Sequence, residues 1–373
     1  MEDYNKKTKI LFFHFDLGGG GAEKVLVDLV NNLDPSKYDI TVHLIFNHGV
    51  YKHALKNHIK IKYIFDRKPF RATAPLAKLL SPSFLYKILI KDNYDIEIAF
   101  FHRLPLRIIS GSKNKRIFAW VHTRVNNNHE YFTCFRSLKE AKKCYFKYNK
   151  IAFVSESALE SFLLTTQWKE LNCAVVHNVV DSQKVIELSH QSIPCKINRD
   201  VVNLCTVGRL TEVKGYDRLI RVLKKIYDDG IYKWHLYILG KGEDENKLRN
   251  LIDSFSLHDN ITLLGFDSNP HKYVSKMDLF VCSSYDEGYS TAVTESVILG
   301  IPVLTTDCSG MKEILGDNAG CIVPNDENSL YNGIKRLLLS DNIISDLKKG
   351  AISRSKLFSM EAQIKEFESF ILN

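Results

Sequence analysis

Two carboxylates, Glu287 and Glu295, stand with seven residues between them in Ser283-Ser284-Tyr285-Asp286-Glu287-Gly288-Tyr289-Ser290-Thr291-Ala292-Val293-Thr294-Glu295, behind the apolar run Leu279 to Cys282. The pattern puts Glu287 in a loop and Glu295 about a turn or more inside the following helix, so both can face one cleft at different depths. Each could accept hydrogen bonds from a vicinal pair of hydroxyls, as ribose and hexose both present, while Gly288 and the helix N-terminus between them suit phosphate. Acids near helix N-termini are also common because the dipole favours them. Upstream, Val207-Gly208-Arg209-Leu210-Thr211-Glu212-Val213-Lys214-Gly215-Tyr216 carries two cations in a glycine-containing loop. The fork of Arg209 and the point charge of Lys214 match the two phosphates of a nucleotide diphosphate. A solvated turn with incidental charges is the alternative, and the local residues leave it open.

A third loop, Asp16-Leu17-Gly18-Gly19-Gly20-Gly21-Ala22-Glu23, leads into a helical pattern with Val25, Leu26, Leu29, Val30 and Leu33 on one face. Glycines let backbone N–H groups approach an anion. A dinucleotide fingerprint would need a glycine where Glu23 stands and an acid where the second strand ends in Phe46-Asn47-His48, so an NAD site is disfavoured. Four histidines, His14, His102, His122 and His177, follow apolar runs. Singly each reads as structural or merely polar; together they suggest a polar cleft.

These residues need strands to hold them. Short apolar runs alternate with helical patterns: Ile10 to Phe15, Ile40 to Phe46, Ile61 to Phe65, Ile96 to Phe101, Ile117 to His122, Ile151 to Ser155 and Ala174 to Val176. The rhythm resumes with Val202 to Val207, His235 to Leu239, Ile261 to Leu264, Leu279 to Cys282, Val303 to Thr305 and Cys321 to Val323. Such alternation implies α/β architecture with two parallel sheets. The break lies within Ser182 to Asp200, where Ser, Gln, Pro194 and charges replace periodic apolar positions. Met360 to Leu372 reads as a final helix. In parallel sheets ligands bind outside the carboxyl ends of the strands, where the candidate residues stand.

At 373 residues the chain exceeds one core, and 45% hydrophobic with 25% charged residues excludes disordered, collagen-like and coiled-coil classes. No apolar run reaches membrane-span length and no signal-peptide pattern opens the chain, so a cytoplasmic protein is expected. The eight cysteines lack metal-ligand spacing and read as reduced thiols. Residues 1–190 hold 29 Lys and Arg against 18 Asp and Glu, a net of +11, while residues 191–373 net −3. Nucleic-acid motifs are absent. The excess concentrates in Arg67-Lys68-Pro69-Phe70-Arg71, leading to Leu79, Leu80, Phe84, Leu85 and Tyr86, and in a helical run from Phe135 to Lys150. The second stretch sets Lys139, Lys142, Lys143, Lys147 and Lys150 beside Leu138, Ala141, Tyr145 and Tyr148. It fits either an anionic bilayer surface or a surface helix with its apolar face in the core.

Taken together, the motifs resemble the retaining glycosyltransferases of family 4, of the bacterial surface-polysaccharide type, over nearly the whole chain. Glu287 and Glu295 match the family's E-x7-E, Gly208 to Gly215 its Gly-Arg-Leu-x4-Lys-Gly loop, and Gly20 to Glu23 its Gly-Gly-Ala-Glu loop. Leu239-Gly240-Lys241-Gly242, Leu264-Gly265-Phe266, Gly300-Ile301-Pro302-Val303 and the Asn178/Asp181 pair match further, although Val179 departs from the family's glycine. The resemblance implies the GT-B fold, two Rossmann-like domains facing across a cleft: residues 1–185 for the acceptor, 186–355 for the nucleotide-sugar donor, and a C-terminal helix, 356–373, packing back on the first. It implies a metal-independent hexosyl or N-acetylhexosaminyl transfer, without cofactor, from a uridine or guanosine diphosphate sugar to a glycan or lipid-linked acceptor in polysaccharide biosynthesis. Closure is expected to use the Ser182 to Asp200 region as part of its hinge.

By that likeness Arg209 and Lys214 neutralise the donor diphosphate, Glu287 holds the transferred sugar and Glu295 the ribose. Gly208, Gly240, Gly265, Phe266, Gly288, Tyr289 and Ser290 line the donor, His122 meets the donor sugar, and Gly20 and Gly21 line the acceptor side. A peripheral place on the inner membrane face is a further expectation. A non-hydrolysing nucleotide-sugar epimerase and a noncatalytic sugar-nucleotide-binding subunit are the competing readings.

Overall fold

The computed structural model describes residues 6–66, 77–125, 131–194 and 196–372. The chain forms two compact units, residues 1–179 with 361–373, and residues 180–360. The Arg67 to Arg71 stretch lies outside the described residues, as does Cys195.

In the first unit the apolar runs form β1 (Thr8–His14), β2 (Tyr38–Phe46), β3 (Lys60–Phe65), β4 (Ile96–Ala99), β5 (Ile117–Val121), β6 (Lys150–Phe153) and β7 (Cys173–Val175). They make one parallel sheet in the order β3-β2-β1-β4-β5-β6-β7. A parallel sheet must be covered on both faces. Helices α1 (Gly21–Asn32), α2 (Pro82–Leu89), α3 (Leu104–Ile109), α4 (Leu138–Tyr145) and α5 (Glu156–Thr166) contribute to the cover. Serines set three of their starts: Ser81, Ser137 and Ser155 each accept a hydrogen bond from a backbone N–H three residues on.

The run from Phe135 to Lys150 is helical only over α4, and Lys150 opens β6. Ala141 and Tyr145 are fully buried, so the apolar face of α4 lies in the core, whereas Leu138 is 49% exposed.

The second unit repeats the plan with β8 (Val202–Val207), β9 (Trp234–Leu239), β10 (Ile261–Gly265), β11 (Leu279–Cys282), β12 (Val303–Thr306) and β13 (Gly320–Val323). The order is β10-β9-β8-β11-β12-β13, again parallel. Around it lie α6 (Ser182–Ser189), α7 (Tyr216–Asp228), α8 (Glu245–Ser254), α9 (His271–Val274), α10 (Thr291–Ile298), α11 (Met311–Leu315), α12 (Glu327–Leu338) and α13 (Asp341–Ser355). Leu219, Ile220, Leu223 and Ile226 of α7 pack with Leu204, Leu236 and Leu279 of the sheet to form the core. The start of the polar stretch 182–200 is thus helical, because Asp181 accepts from the Lys184 N–H and caps it.

The last helix, α14 (Met360–Leu372), belongs to the first unit. Its Phe367 stacks on Phe12 and Trp120 with centroids 5.9 Å away in each case, and Phe370 lies 5.3 Å from both Phe118 and Trp120. Among the described residues no helix is long and apolar enough to cross a membrane.

Candidate functional site

In each sheet one strand has its sequence neighbours leaving to opposite sides: β1 lies between β2 and β4, and β8 between β9 and β11. At such a point the loops after the two central strands diverge and leave a crevice at the carboxyl ends. The sequence candidates occupy both positions.

In the second unit, Gly208 and Arg209 follow β8, and Ser283 to Glu287 follow β11. Gly215, at φ +62, brings the two loops together: a Cβ there would lie 2.3 Å from the Ser283 carbonyl oxygen. That approach delivers Lys214, whose Nζ donates to Glu287 Oε1 at 2.7 Å. The same oxygen accepts from Ser284 Oγ at 2.6 Å. Burial alone would lower the Lys214 pKa, but the Glu287 charge and hydrogen bond outweigh it and hold the ammonium above its ordinary value. Arg209 is exposed and makes no ion pair among the described residues.

The β9 and β10 loops join the same edge. Gly240 donates its N–H to the Gly265 carbonyl at 2.8 Å, and Gly208 donates to Leu239 at 3.0 Å. A Cβ on Gly240 would fall 1.8 Å from the Gly208 carbonyl oxygen, so these backbones approach only because position 240 is glycine. Phe266 beyond them is 59% exposed. Tyr289 and Ser290 are buried, and Ser290 caps α10 by accepting from the Val293 N–H, which commits its side chain to the helix start. Glu295, 7% exposed on α10, has its Oε2 3.6 Å from Nδ1 of His271.

Sequence reasoning missed Arg218, the group that fixes this loop. Its side chain, 1% exposed, donates from Nε to the Ser283 carbonyl at 2.8 Å and from Nη2 to the Ser284 carbonyl at 2.7 Å and to Asn325 Oδ1 at 2.8 Å. Its guanidinium lies 3.9 Å from the centroid of Tyr285. Thr306 Oγ1 adds a bond to the Ser284 carbonyl at 2.6 Å. The available signal was a cation between the buried Tyr216 and Leu219 of an amphipathic helix. Ser284 and His271 were missed because a lone hydroxyl or imidazole carries no spacing signal.

In the first unit the switch-point loops carry His14, after which Asp16 Oδ1 accepts from the Gly18 N–H at 3.0 Å, and Phe100, Phe101 and His102 after β4. His122 follows the adjacent β5. These three imidazoles come together: His122 and His14 each act on His102, and His14 on His122, electrostatically. Burial, the largest influence on each, lowers all three, His122 to about 3. The fourth, His177, is tied to Glu366 of α14 at 3.1 Å. A Cβ on Gly20 would lie 2.3 Å from Glu23 Oε2, so this helix start already faces its own carboxylate. Gly21 is the first residue of α1 and exposed. Among the described residues no group of three or more His, Cys, Asp or Glu is placed to hold a metal ion.

Comparison with known proteins places this geometry. The model of the family "Glycosyl transferases group 1" matches residues 194–354. The chain is 30% identical over 369 residues to the N-acetylgalactosamine-N,N'-diacetylbacillosaminyl-diphospho-undecaprenol 4-alpha-N-acetylgalactosaminyltransferase of Campylobacter jejuni, covering 94% of this chain and 95% of that one. It is 24% identical over 213 residues to the O-antigen biosynthesis glycosyltransferase WclY of Escherichia coli, covering 57% and 55%. In fold it resembles Anabaena Alr3699/HepE, solved in complex with UDP and glucose, at a TM-score of 0.76 and 18% identity over 98% of this chain and 100% of that one.

Proposed function

Since the chain belongs to the group 1 glycosyl transferases, with the two Rossmann-like domains of the GT-B fold, we propose that it transfers a hexosyl or N-acetylhexosaminyl group, with retention and without a metal, from a nucleotide diphosphate sugar to a glycan or lipid-linked acceptor. The carrying observation is the Lys214–Glu287 pair, held at 2.7 Å at the β8/β11 switch point. A uridine diphosphate sugar is the donor that the UDP-bound neighbour supports. The Campylobacter relative's name supports a diphospho-undecaprenol-linked acceptor and a place in surface-glycan assembly.

Without donor, Lys214 and Glu287 satisfy each other. A diphosphate offers Lys214 a stronger anion, and its capture frees Glu287 to accept from sugar hydroxyls. Exposed Arg209 adds a bidentate fork to the phosphates, and the N-terminus of α10 with the backbone around Gly288 adds further N–H donors. As the bond from sugar to phosphate breaks, negative charge accumulates on the leaving diphosphate, and these cations stabilise it where a metal would otherwise serve. Glu295 accepts from the ribose. His122, neutral at physiological pH, offers the sugar a hydrogen bond and no charge. The acceptor attacks on the face that the leaving group vacates, which retains the anomeric configuration.

The test is nucleotide release from a panel of uridine, guanosine and adenosine diphosphate sugars, with Lys214→Ala as control. Release from one donor, lost in the variant, is expected; release unchanged in the variant refutes the assignment.

A further inference from the structure

His14 closes β1 at 1% exposure, and its two ring nitrogens are treated differently. Nδ1 lies 2.8 Å from the Asp16 carbonyl oxygen. A carbonyl only accepts, so Nδ1 carries the hydrogen. Burial, the largest influence on the ring, lowers its pKa and favours the neutral form. Nε2 therefore keeps a lone pair and no hydrogen, and it is buried without a partner among the described residues. His102 Nδ1, in the loop after the neighbouring β4, is buried without a partner as well. A buried polar atom left unpaired is costly and uncommon, and it points to a group that arrives later.

The group that completes His14 Nε2 must bring a hydrogen. A carboxylate or a diphosphate link brings acceptors only, whereas a hydroxyl donates. Charge argues the same way. The charges felt most at His14 are the carboxylates of Glu23 and Asp16. Asp16 is 5% exposed and its Oδ1 accepts from the Gly18 N–H, while Glu23 already faces the positive end of α1 at Gly20. Lys24, the first cation of that helix, is turned to Asp28 at 3.3 Å, and exposed Arg103 acts on His102. An anion approaching His14 is thus repelled. Phe101 supplies an apolar surface: its partly exposed ring lies 5.4 Å from that of His14 and 6.5 Å from that of His122.

A lone pair that needs a donor, an aromatic ring beside it and two carboxylates around it suit an uncharged sugar, which has both hydroxyls and an apolar face. We propose that the strand ends of the first unit form a saccharide subsite selective for a neutral over an acidic sugar, with His14 Nε2 accepting from one hydroxyl and Phe101 lying against the apolar face. The role of that sugar rests on the transferase reading above: it belongs to the acceptor, whose terminal residue is then uncharged. None of these residues comes from the donor loops of the second unit.

The experiment follows the side-chain nitrogen resonances of His14 in the full chain, assigned by their absence in His14→Asn. The free protein should show the neutral ring with its hydrogen on Nδ1. The probes are the methyl glycosides of glucose, galactose and N-acetylgalactosamine against those of glucuronic and galacturonic acid. At least one neutral glycoside should shift Nε2 saturably, and the hexuronides should bind about tenfold more weakly. His14→Asn, whose amide can still donate to the Asp16 carbonyl, should weaken the neutral glycoside about tenfold, roughly one hydrogen bond. His14→Gln, which returns an oxygen near the place of Nε2, should recover most of that loss, so a mere packing role for the ring reads out differently. Glu23→Gln should strengthen hexuronide binding about fivefold and leave the neutral glycoside as it was. Uridine diphosphate affinity should be unchanged in all three variants. Glycoside binding at His14 without nucleotide release from any donor would sink the transferase reading and leave the subsite standing; nucleotide release with no response at His14 would sink the subsite alone. A ring that is charged or carries its hydrogen on Nε2, hexuronides bound as well as neutral glycosides, or an Nε2 resonance already satisfied by a buried water and unmoved at saturation each overturns the proposal.

Discussion

The two switch points are built alike and filled differently. At β1/β4 and the adjacent β5 the strand ends present three buried imidazoles, each driven toward its neutral form by burial. At β8/β11 they present a salt bridge, an exposed arginine and a buried guanidinium that clamps the loop backbone. The contrast teaches that the topology supplies a crevice and nothing more; the charge of the residues after each strand decides what can enter. Neutral imidazoles can orient hydroxyls without paying ionic desolvation, whereas the cations of the second unit match a ligand that carries its own negative charge.

The largest break in that contrast comes from Lys214→Ala. It removes the cation and leaves Glu287 partly buried with only the Ser284 hydroxyl and the Cys282 thiol beside it among the described residues. Turnover is expected to fall on the order of 10²- to 10³-fold, with the unfolding of the first unit unaltered. Steady-state rates and a urea titration check both halves. Next is Arg218→Met, which keeps bulk but strips donors from the Ser283 and Ser284 carbonyls. Because the loop bearing Glu287 then loses its anchor, kcat should drop on the order of 10²-fold, as misplacement by about 1 Å commonly costs. Arg218→Lys should restore part of it, since an ammonium can still reach one carbonyl. A purely structural Arg218 would instead lower stability and leave the rate per folded molecule intact.

Legibility from sequence divided along physical lines. The central strands were readable because each is a short apolar run covered on both faces, as Ile10 to Phe13 show with all four side chains at 0% exposure. Lys214 and Glu287 were readable because their neighbours carry spacing: Gly215 and Gly288 mark the turns that deliver them. Arg218 was not, because its role depends on carbonyls about 65 residues away that no local pattern reveals. The mutual quenching of Lys214 and Glu287 was hidden for the same reason.

His122 sharpens the comparison from the other side. Its pKa, lowered to about 3 from 6.5, means that between those values the unfolded chain binds a proton that the folded chain does not. Stability therefore falls as pH drops below about 6.5, and at pH 5 a single such group accounts for about 2 kcal/mol. His14 and His102 push in the same direction. Urea midpoints at pH 7 and pH 5 should drop more for wild type than for His122→Asn, and an equal drop in the two would show that His122 is already charged or solvated.

The smallest effect should come from Glu295, because in the proposed reading it serves the nucleoside rather than the breaking bond. On that reading, with the carboxylate gone, two ribose hydroxyls would lose an acceptor while Lys214 and Arg209 would keep the diphosphate. Glu295→Ala should therefore weaken uridine diphosphate binding by about tenfold, roughly one hydrogen bond to a charged group, and leave inorganic diphosphate affinity as it was. Titration calorimetry with both ligands separates the contributions. If both affinities fell together, Glu295 would be acting through the shape of α10 and its phosphate-facing N-terminus. If neither fell, its carboxylate would belong to His271, 3.6 Å away, and the ribose would find its acceptor elsewhere in the β9 and β10 loops.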